Sequence, residues 1–158
     1  MDAREIVRIL TERGQKLCTA ESLTGGLMSD SIVRVPGASK IFLGGVVSYD
    51  ESIKEKVLGV QHETLQKHTA VSAETAREMA AGVRSLMGAD YALSATGYAG
   101  PDGEDVGLVY IGFAAEDACE SYAFRFAGNR AEIRMKSVEA ALNILEKHLI
   151  KREEHNNG

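Results

Sequence analysis

Leu17-Cys-Thr-Ala-Glu-Ser-Leu-Thr-Gly-Gly-Leu-Met-Ser-Asp-Ser-Ile-Val-Arg-Val35 passes from one hydrophobic pattern to another within 19 residues. Leu17 to Ala20 reads as a short buried strand, and Thr24 to Val35 as a helix closed by Pro36-Gly37. A strand that feeds a helix through a glycine-bearing turn is the unit of an α/β fold, so the question is whether the unit repeats. It does. Leu43 to Tyr49 reads as a second strand followed by a short helix from Glu51 to Leu58, stopped by Gly59. Ser72 caps a helix with Ala76, Met79, Ala80, Val83 and Leu86 or Met87 on its core face, ended by Gly88. Tyr91 to Thr96 and Leu108 to Ala114 are apolar strands. Tyr122, Phe124 and Phe126 alternate with Ala123 and Arg125, the period of a half-exposed strand, and Glu116-Asp117 makes the turn of an antiparallel hairpin.

Helices bracket the array. Ala3 to Arg13 carries the stripe Ala3, Ile6, Val7 and Leu10, with Asp2 and Glu5 as a capping-box variant and Gly14 as the stop. Asn129 caps a long final helix whose inward residues read Ala131, Met135, Val138, Ala141, Leu142, Leu145 and Leu149. The fold class that follows is α/β, a three-layer α/β/α sandwich on a mixed, mostly parallel sheet with one antiparallel hairpin.

The 158 residues suit one domain, taken as residues 1–150, with a polar tail over 151–158 expected to fray. Eighteen basic against 23 acidic residues, net −5, give no electrostatic case for nucleic acid or an anionic membrane. Cys18 and Cys119 have neither disulfide nor zinc-site spacing. No apolar run approaches the roughly 20 residues of a membrane span, and Met1-Asp-Ala-Arg-Glu5 is unlike a signal peptide, so the expected location is cytoplasmic. The 16 glycines stand against two prolines, which points to tight turns in an ordered domain.

Three segments are over-specified for packing alone. Thr19-Ala-Glu-Ser-Leu-Thr-Gly-Gly26 lies at a strand carboxyl end, where active sites of open α/β sheets gather. Ser22 would stand above the sheet, and N–H groups from Leu23 to Gly26 could receive an oxyanion. The same residues also read as a capping turn, with Ser22 or Thr24 as N-cap. In Val47-Ser-Tyr-Asp-Glu-Ser-Ile-Lys-Glu-Lys56, Lys54 falls one turn into a helix near Val57 and Leu58, so its stem borders the core; alternatively it is a solvated lysine beside Glu51 and Glu55. Ala95-Thr-Gly-Tyr-Ala-Gly-Pro-Asp-Gly-Glu-Asp-Val-Gly107 holds four glycines, as a backbone-read anion site or a flexible connection would. Arg130 could reach an anion or be a surface residue. His62, His68, His148 and His155 show no metal spacing and are expected at the surface.

Taken in order, these segments resemble the CinA C-terminal-domain family, including its stand-alone nicotinamide-nucleotide amidases. The matching residues are Thr19 to Gly26, Val35-Pro-Gly-Ala-Ser39, Val47-Ser-Tyr49, Lys54 through Leu58-Gly-Val60, Ala70-Val-Ser72, Thr96-Gly-Tyr-Ala-Gly-Pro101 and Val106-Gly107. The resemblance spans about residues 3 to 148 and implies hydrolysis of the carboxamide of nicotinamide mononucleotide to nicotinic acid mononucleotide and ammonia, in pyridine nucleotide recycling. It implies Ser22 as nucleophile and Lys54 as its partner, with Tyr49 and Thr96 supporting. It implies a nucleotide held by Thr24, Gly25, Gly26, Gly97, Gly100 and Arg130, with no cofactor and no metal. Self-association into a homo-oligomer is implied as well, through a face the sequence does not single out. The chain departs from the pattern at Leu23, where cysteine is frequent, and at Thr69, where glycine usually precedes Ala-Val-Ser. Pro101-Asp-Gly-Glu-Asp-Val106 is short and acidic where the family has a longer, more basic stretch. A catalytically silent nucleotide-binding domain and an amidase for a different small amide are the alternatives.

These residue types suit the chemistry. A serine hydroxyl needs a base to take its proton, and with no suitable histidine a lysine is the available candidate. Lowering a lysine from about 10.4 to about 8 requires roughly 3 kcal/mol of destabilisation of the cation, which burial can supply.

Overall fold

The computed structural model describes residues 2–157. Its elements run α1 (Ala3–Arg13), β1 (Leu17–Glu21), α2 (Leu27–Val33), a 3₁₀ turn (Ala38–Lys40), β2 (Phe42–Val47), α3 (Glu51–Lys56), α4 (His62–His68), α5 (Ala73–Met87), β3 (Tyr91–Gly97), β4 (Leu108–Ala115), β5 (Ala118–Arg125) and α6 (Arg130–Asn157). The five strands form one sheet in the order β2-β1-β3-β4-β5. β1 pairs parallel with β2 and β3, and β4 is antiparallel to both β3 and β5, so four of the five strands point one way.

Alternation along the central strands builds the three layers. Leu17 on β1, Tyr91, Leu93 and Ala95 on β3, and Val109, Ile111 and Phe113 on β4 pack with α1, α2 and α6 in the larger core. Cys18, Ala20, Ala92 and Ala114 face the other way, against Met79, Ala80 and Val83 of α5. The residues on that second face are small, and α5 lies close. A Cβ added to Gly112 would meet Ala76 O and Ser94 Oγ at 2.3 Å, so only glycine admits this approach. The Ser94 hydroxyl donates to the same Ala76 carbonyl at 2.7 Å, tying β3 to α5.

Local capping sets most boundaries where the sequence places them. Asp2 accepts from Arg4 N at 3.0 Å, and Gly14 closes α1 in the left-handed region. Ser72 accepts from Thr75 N, and Gly88 ends α5. Asn129 and Glu132 cap α6 reciprocally: Glu132 N donates to Asn129 Oδ1 and Asn129 N to Glu132 Oε1.

Several expectations are corrected. The helix foreseen from Thr24 begins at Leu27, because Gly25 and Gly26 both take positive φ and residues 23–26 form a turn. Neither Ser22 nor Thr24 caps it. The buried Glu21 carboxylate does, accepting from Gly26 N at 3.2 Å, Met28 N at 2.8 Å and Ser29 N at 3.0 Å, and from the Ser29 hydroxyl at 2.6 Å. β2 stops at Val47, two residues short of Tyr49, and α3 stops at Lys56 with Val57 turned to solvent. Ala131 and Met135 of α6 lie outside the core, and Ile133 and Ile144 take their place. Of the two alternatives at the end of α5, Met87 packs against the second core and Leu86 is exposed. His148, expected at the surface, stacks on Phe113 with centroids 3.8 Å apart and meets the Tyr122 hydroxyl at 3.0 Å. α6 continues through the polar segment 151–157, where Arg152 pairs with Asp117 and lies over the Tyr91 ring; Gly158 lies outside the described residues. Among the described residues no helix is long and apolar enough to cross a membrane. Both cysteines are free.

Candidate active site

The carboxyl ends of β1, β2 and β3 lie side by side, with Glu21 opposite Val47 and Ala95 in register. Each strand there delivers one functional segment. β1 gives Ser22, whose N–H donates to Ala95 O at 3.0 Å and whose carbonyl accepts from Gly25 N at 3.1 Å. β2 leads through Ser48 and Tyr49 to α3, where Asp50 accepts from Ser52 N as N-cap and so sets the helical phase that turns Lys54 inward. β3 ends in Thr96 and Gly97.

Lys54 is fully buried, 1% exposed, which is exceptional for a lysine. Its ammonium nitrogen lies 3.0 Å from Ser22 Oγ, 2.6 Å from Ser48 O and 3.4 Å from Tyr49 O. Three acceptors match the three donors of the charged form. In the neutral form two N–H groups remain on the two carbonyls and the lone pair faces the Ser22 hydroxyl, which is the arrangement a general base needs. Burial pushes the Lys54 pKa below its ordinary value; the carboxylates of Glu51 and Asp50 pull in the opposite direction and do not cancel it. The solvated-lysine alternative is thereby removed.

The pair sits beneath a cleft of about 340 Å³ lined by Ser22, Leu23, Tyr49, Lys54, Ala70, Val71, Thr96, residues 97–100, Asp102 and Arg130. Two larger depressions lie elsewhere, one of about 450 Å³ beside the β4–β5 turn and one of about 660 Å³ between α1, α2 and α6. Neither reaches Ser22 or Lys54. Among the described residues, no group of three or more His, Cys, Asp or Glu side chains is arranged to hold a metal ion.

The other anticipated residues divide. Gly97, Gly100, Thr96 and Arg130 all line the cleft. The Thr96 hydroxyl donates to Ala70 O at 2.6 Å and fixes that wall. Arg130 donates to Gly100 O at 2.6 Å and to the Tyr49 hydroxyl at 3.3 Å. The Tyr49 phenol is therefore turned toward Arg130, 65% exposed, and only its backbone carbonyl approaches Lys54. Thr24, Gly25 and Gly26 are outside the cleft. Of the turn's N–H groups, Gly25 donates to Ser22 O and Gly26 to Glu21; among the described residues, Leu23 and Thr24 have no acceptor. The expected glycine cradle is thus reduced to Gly97 and Gly100.

Sequence reading passed over Glu21 and Arg134. A carboxylate inside a wholly buried strand was the available signal for Glu21, because such a group must find donors. Arg134 gave none: it donates to Leu23 O and Thr24 O, both at 2.9 Å, from 110 residues away.

A three-layer α/β domain with a buried serine–lysine pair at the strand ends is the class that this fold and site define. The chain belongs to the CinA C-terminal domain family, which it matches over residues 2–149. It is 48% identical over 149 residues to a protein of Caldicellulosiruptor bescii named for competence-damage induction, covering 92% of this chain and 36% of that protein. A CinA-like protein of Thermotoga maritima is 43% identical over 152 residues, covering 94% and 37%. The chain thus spans about a third of the length of these relatives. The competence damage-inducible protein A of Klebsiella pneumoniae superposes with a TM-score of 0.89 at 34% identity, covering 95% of this chain and 98% of that one. The competence/damage inducible protein of Agrobacterium tumefaciens gives 0.89 at 36% identity and 92% of each chain.

Proposed function

We propose that this domain is a cytoplasmic amidohydrolase that cleaves the carboxamide of nicotinamide mononucleotide to nicotinic acid mononucleotide and ammonia by a Ser22–Lys54 mechanism. The observation that carries the reading is the buried Lys54 amine 3.0 Å from Ser22 Oγ, its remaining hydrogens directed at backbone carbonyls. Neutral Lys54 takes the Ser22 proton as Oγ attacks the carboxamide carbon. The tetrahedral oxyanion is met by the backbone N–H of Leu23, in the turn beside Ser22. Collapse breaks the C–N bond while Lys54 returns the proton to the leaving nitrogen, which departs as ammonia. Water then attacks the acyl-serine by the same proton route, giving the carboxylate and free Ser22. Arg130, which lines the same cleft, is the cation for the nucleotide phosphate.

Ammonia release from nicotinamide mononucleotide by wild type, Ser22→Ala and Lys54→Ala tests the reading; release by wild type alone is expected, and no wild-type release overturns it. A second reading, an amide without phosphate, is favoured by Asp102 standing in the same cleft as Arg130. It predicts turnover of nicotinamide or simple amides that added inorganic phosphate does not inhibit.

A further inference from the structure

We infer that Arg134 is a positioning residue for the oxyanion-binding turn beside Ser22, an inference that rests on the Ser22–Lys54 reading. Arg134 lies one helical turn beyond Arg130 on α6 and does not line the cleft. Its Nε donates to Leu23 O and its Nη2 to Thr24 O, each at 2.9 Å, so one guanidinium pins two successive peptide groups.

A trans peptide is planar, and its C=O and the following N–H point in opposite directions. Holding the Thr24 carbonyl toward Arg134 therefore directs the Gly25 N–H of the same peptide the opposite way, onto Ser22 O. The Ser22–Leu23 peptide is fixed in turn, because Ser22 O accepts from Gly25 N at 3.1 Å, which sets the Leu23 N–H. Ser22 N is bonded to Ala95 O and Gly26 N to Glu21. Among the described residues the turn thus retains the N–H of Leu23, which lines the cleft, as its unpaired donor next to the nucleophile; Thr24, whose N–H also lacks an acceptor, is fully buried.

Donors held in place before reaction need no reorganisation when negative charge develops on the carboxamide oxygen. A cation on the carbonyl side also polarises each peptide and strengthens its N–H as a donor. The planar fork is required for both contacts; a lysine ammonium is a single point that matches neither geometry.

The test compares wild type, Arg134→Gln and Arg134→Lys in three measurements: ammonia release, thermal unfolding and labelling of Ser22 by an alkyl fluorophosphonate. Labelling forms the Oγ–P bond, expels fluoride, passes the Oγ proton to Lys54 and places the phosphoryl oxygen against the same Leu23 N–H. Expected is a fall of about 10²-fold in both kcat and labelling rate for Arg134→Gln, smaller for Arg134→Lys, with KM within about threefold. A folded variant that labels at the wild-type rate overturns the inference, as does a change confined to KM. Should Arg134→Gln fail to fold, Arg134→Lys, which keeps charge and stem, decides by the same criteria. A wild type that labels but releases no ammonia overturns only the substrate assignment, and the labelling rates still judge Arg134. A wild type that does neither overturns the Ser22 reading and this inference with it.

Discussion

Lys54 Nζ and Ser22 Oγ lie 3.0 Å apart across 32 residues of sequence, each delivered by a different strand–helix junction. If the contact performs proton transfer, Ser22→Ala, Lys54→Met and Lys54→Arg each lower kcat for ammonia release by at least about 10³-fold. Lys54→Arg is the informative variant, because a guanidinium keeps the charge and cannot act as a base. Steady-state ammonia release on folded protein checks this; substantial turnover by Lys54→Arg would remove Lys54 from the proton path.

Burial lowers the Lys54 pKa from its ordinary 10.5, and the proposed mechanism requires it unprotonated. kcat/KM therefore rises with pH along a limb whose midpoint lies below 10.5. The stability sign follows from the same shift. Between the folded value and 10.5 the unfolded chain binds the extra proton, so the wild type gains stability relative to Lys54→Met as pH rises through that window. Denaturant unfolding of both proteins across alkaline pH, beside the rate profile, measures the two effects; a difference independent of pH contradicts the shift.

Arg130 meets Gly100 O and the Tyr49 hydroxyl while lining the cleft. Arg130→Ala should raise KM for nicotinamide mononucleotide by roughly 10- to 100-fold and change kcat little, the loss expected for a hydrogen bond to a charged group. Tyr49→Phe, which removes only the 3.3 Å contact, should have a smaller effect. Equal KM values for Arg130→Ala and wild type would locate the phosphate elsewhere.

Thr69 ends α4 with φ 69° and ψ 175°, a region that belongs essentially to glycine and costs a β-branched residue on the order of 1–3 kcal/mol. Its carbonyl accepts from the hydroxyls of Ser72 and Thr75, and the contacts of a backbone oxygen survive substitution. Thr69→Gly should therefore raise the unfolding midpoint, by an amount reduced by the extra freedom glycine brings to the unfolded chain. Thermal unfolding decides, and a lowered midpoint would mean that the Thr69 hydroxyl contacts outweigh the strain.

Much of this architecture is legible because its determinants are local. α1 carries its cap, stripe and stop within Asp2 to Gly14, and α5 does the same between Ser72 and Gly88. Ser22, Lys54, Thr96 and Arg130 are legible as residues, and the structure brings all four to one cleft. What escapes reading depends on partners far along the chain. Glu21 displaces the expected hydroxyl caps because Gly25 and Gly26 bend the turn until four donors converge on its carboxylate. Tyr49 was expected to support the pair, yet β2 ends at Val47 and its phenol turns toward Arg130. On α6 the apolar pattern admits either phase in the first turn, and Ile133 rather than Ala131 or Met135 meets the core.

Glu21 has a wider consequence through its place at the start of α2. The local positive end of that helix is neutralised by the chain itself, so an incoming anion must be recognised by other parts of the polypeptide. Ser22 and Lys54 belong to the β1–α2 and β2–α3 junctions, whereas Asp102 and Arg130 come from the β3–β4 connection and α6. On the proposed reading, reactivity and selectivity are carried by separable segments. Exchanging the loop around Asp102 should redirect which molecules enter while the proton-transfer pair stays intact, making this scaffold a modular starting point for altered amide specificity.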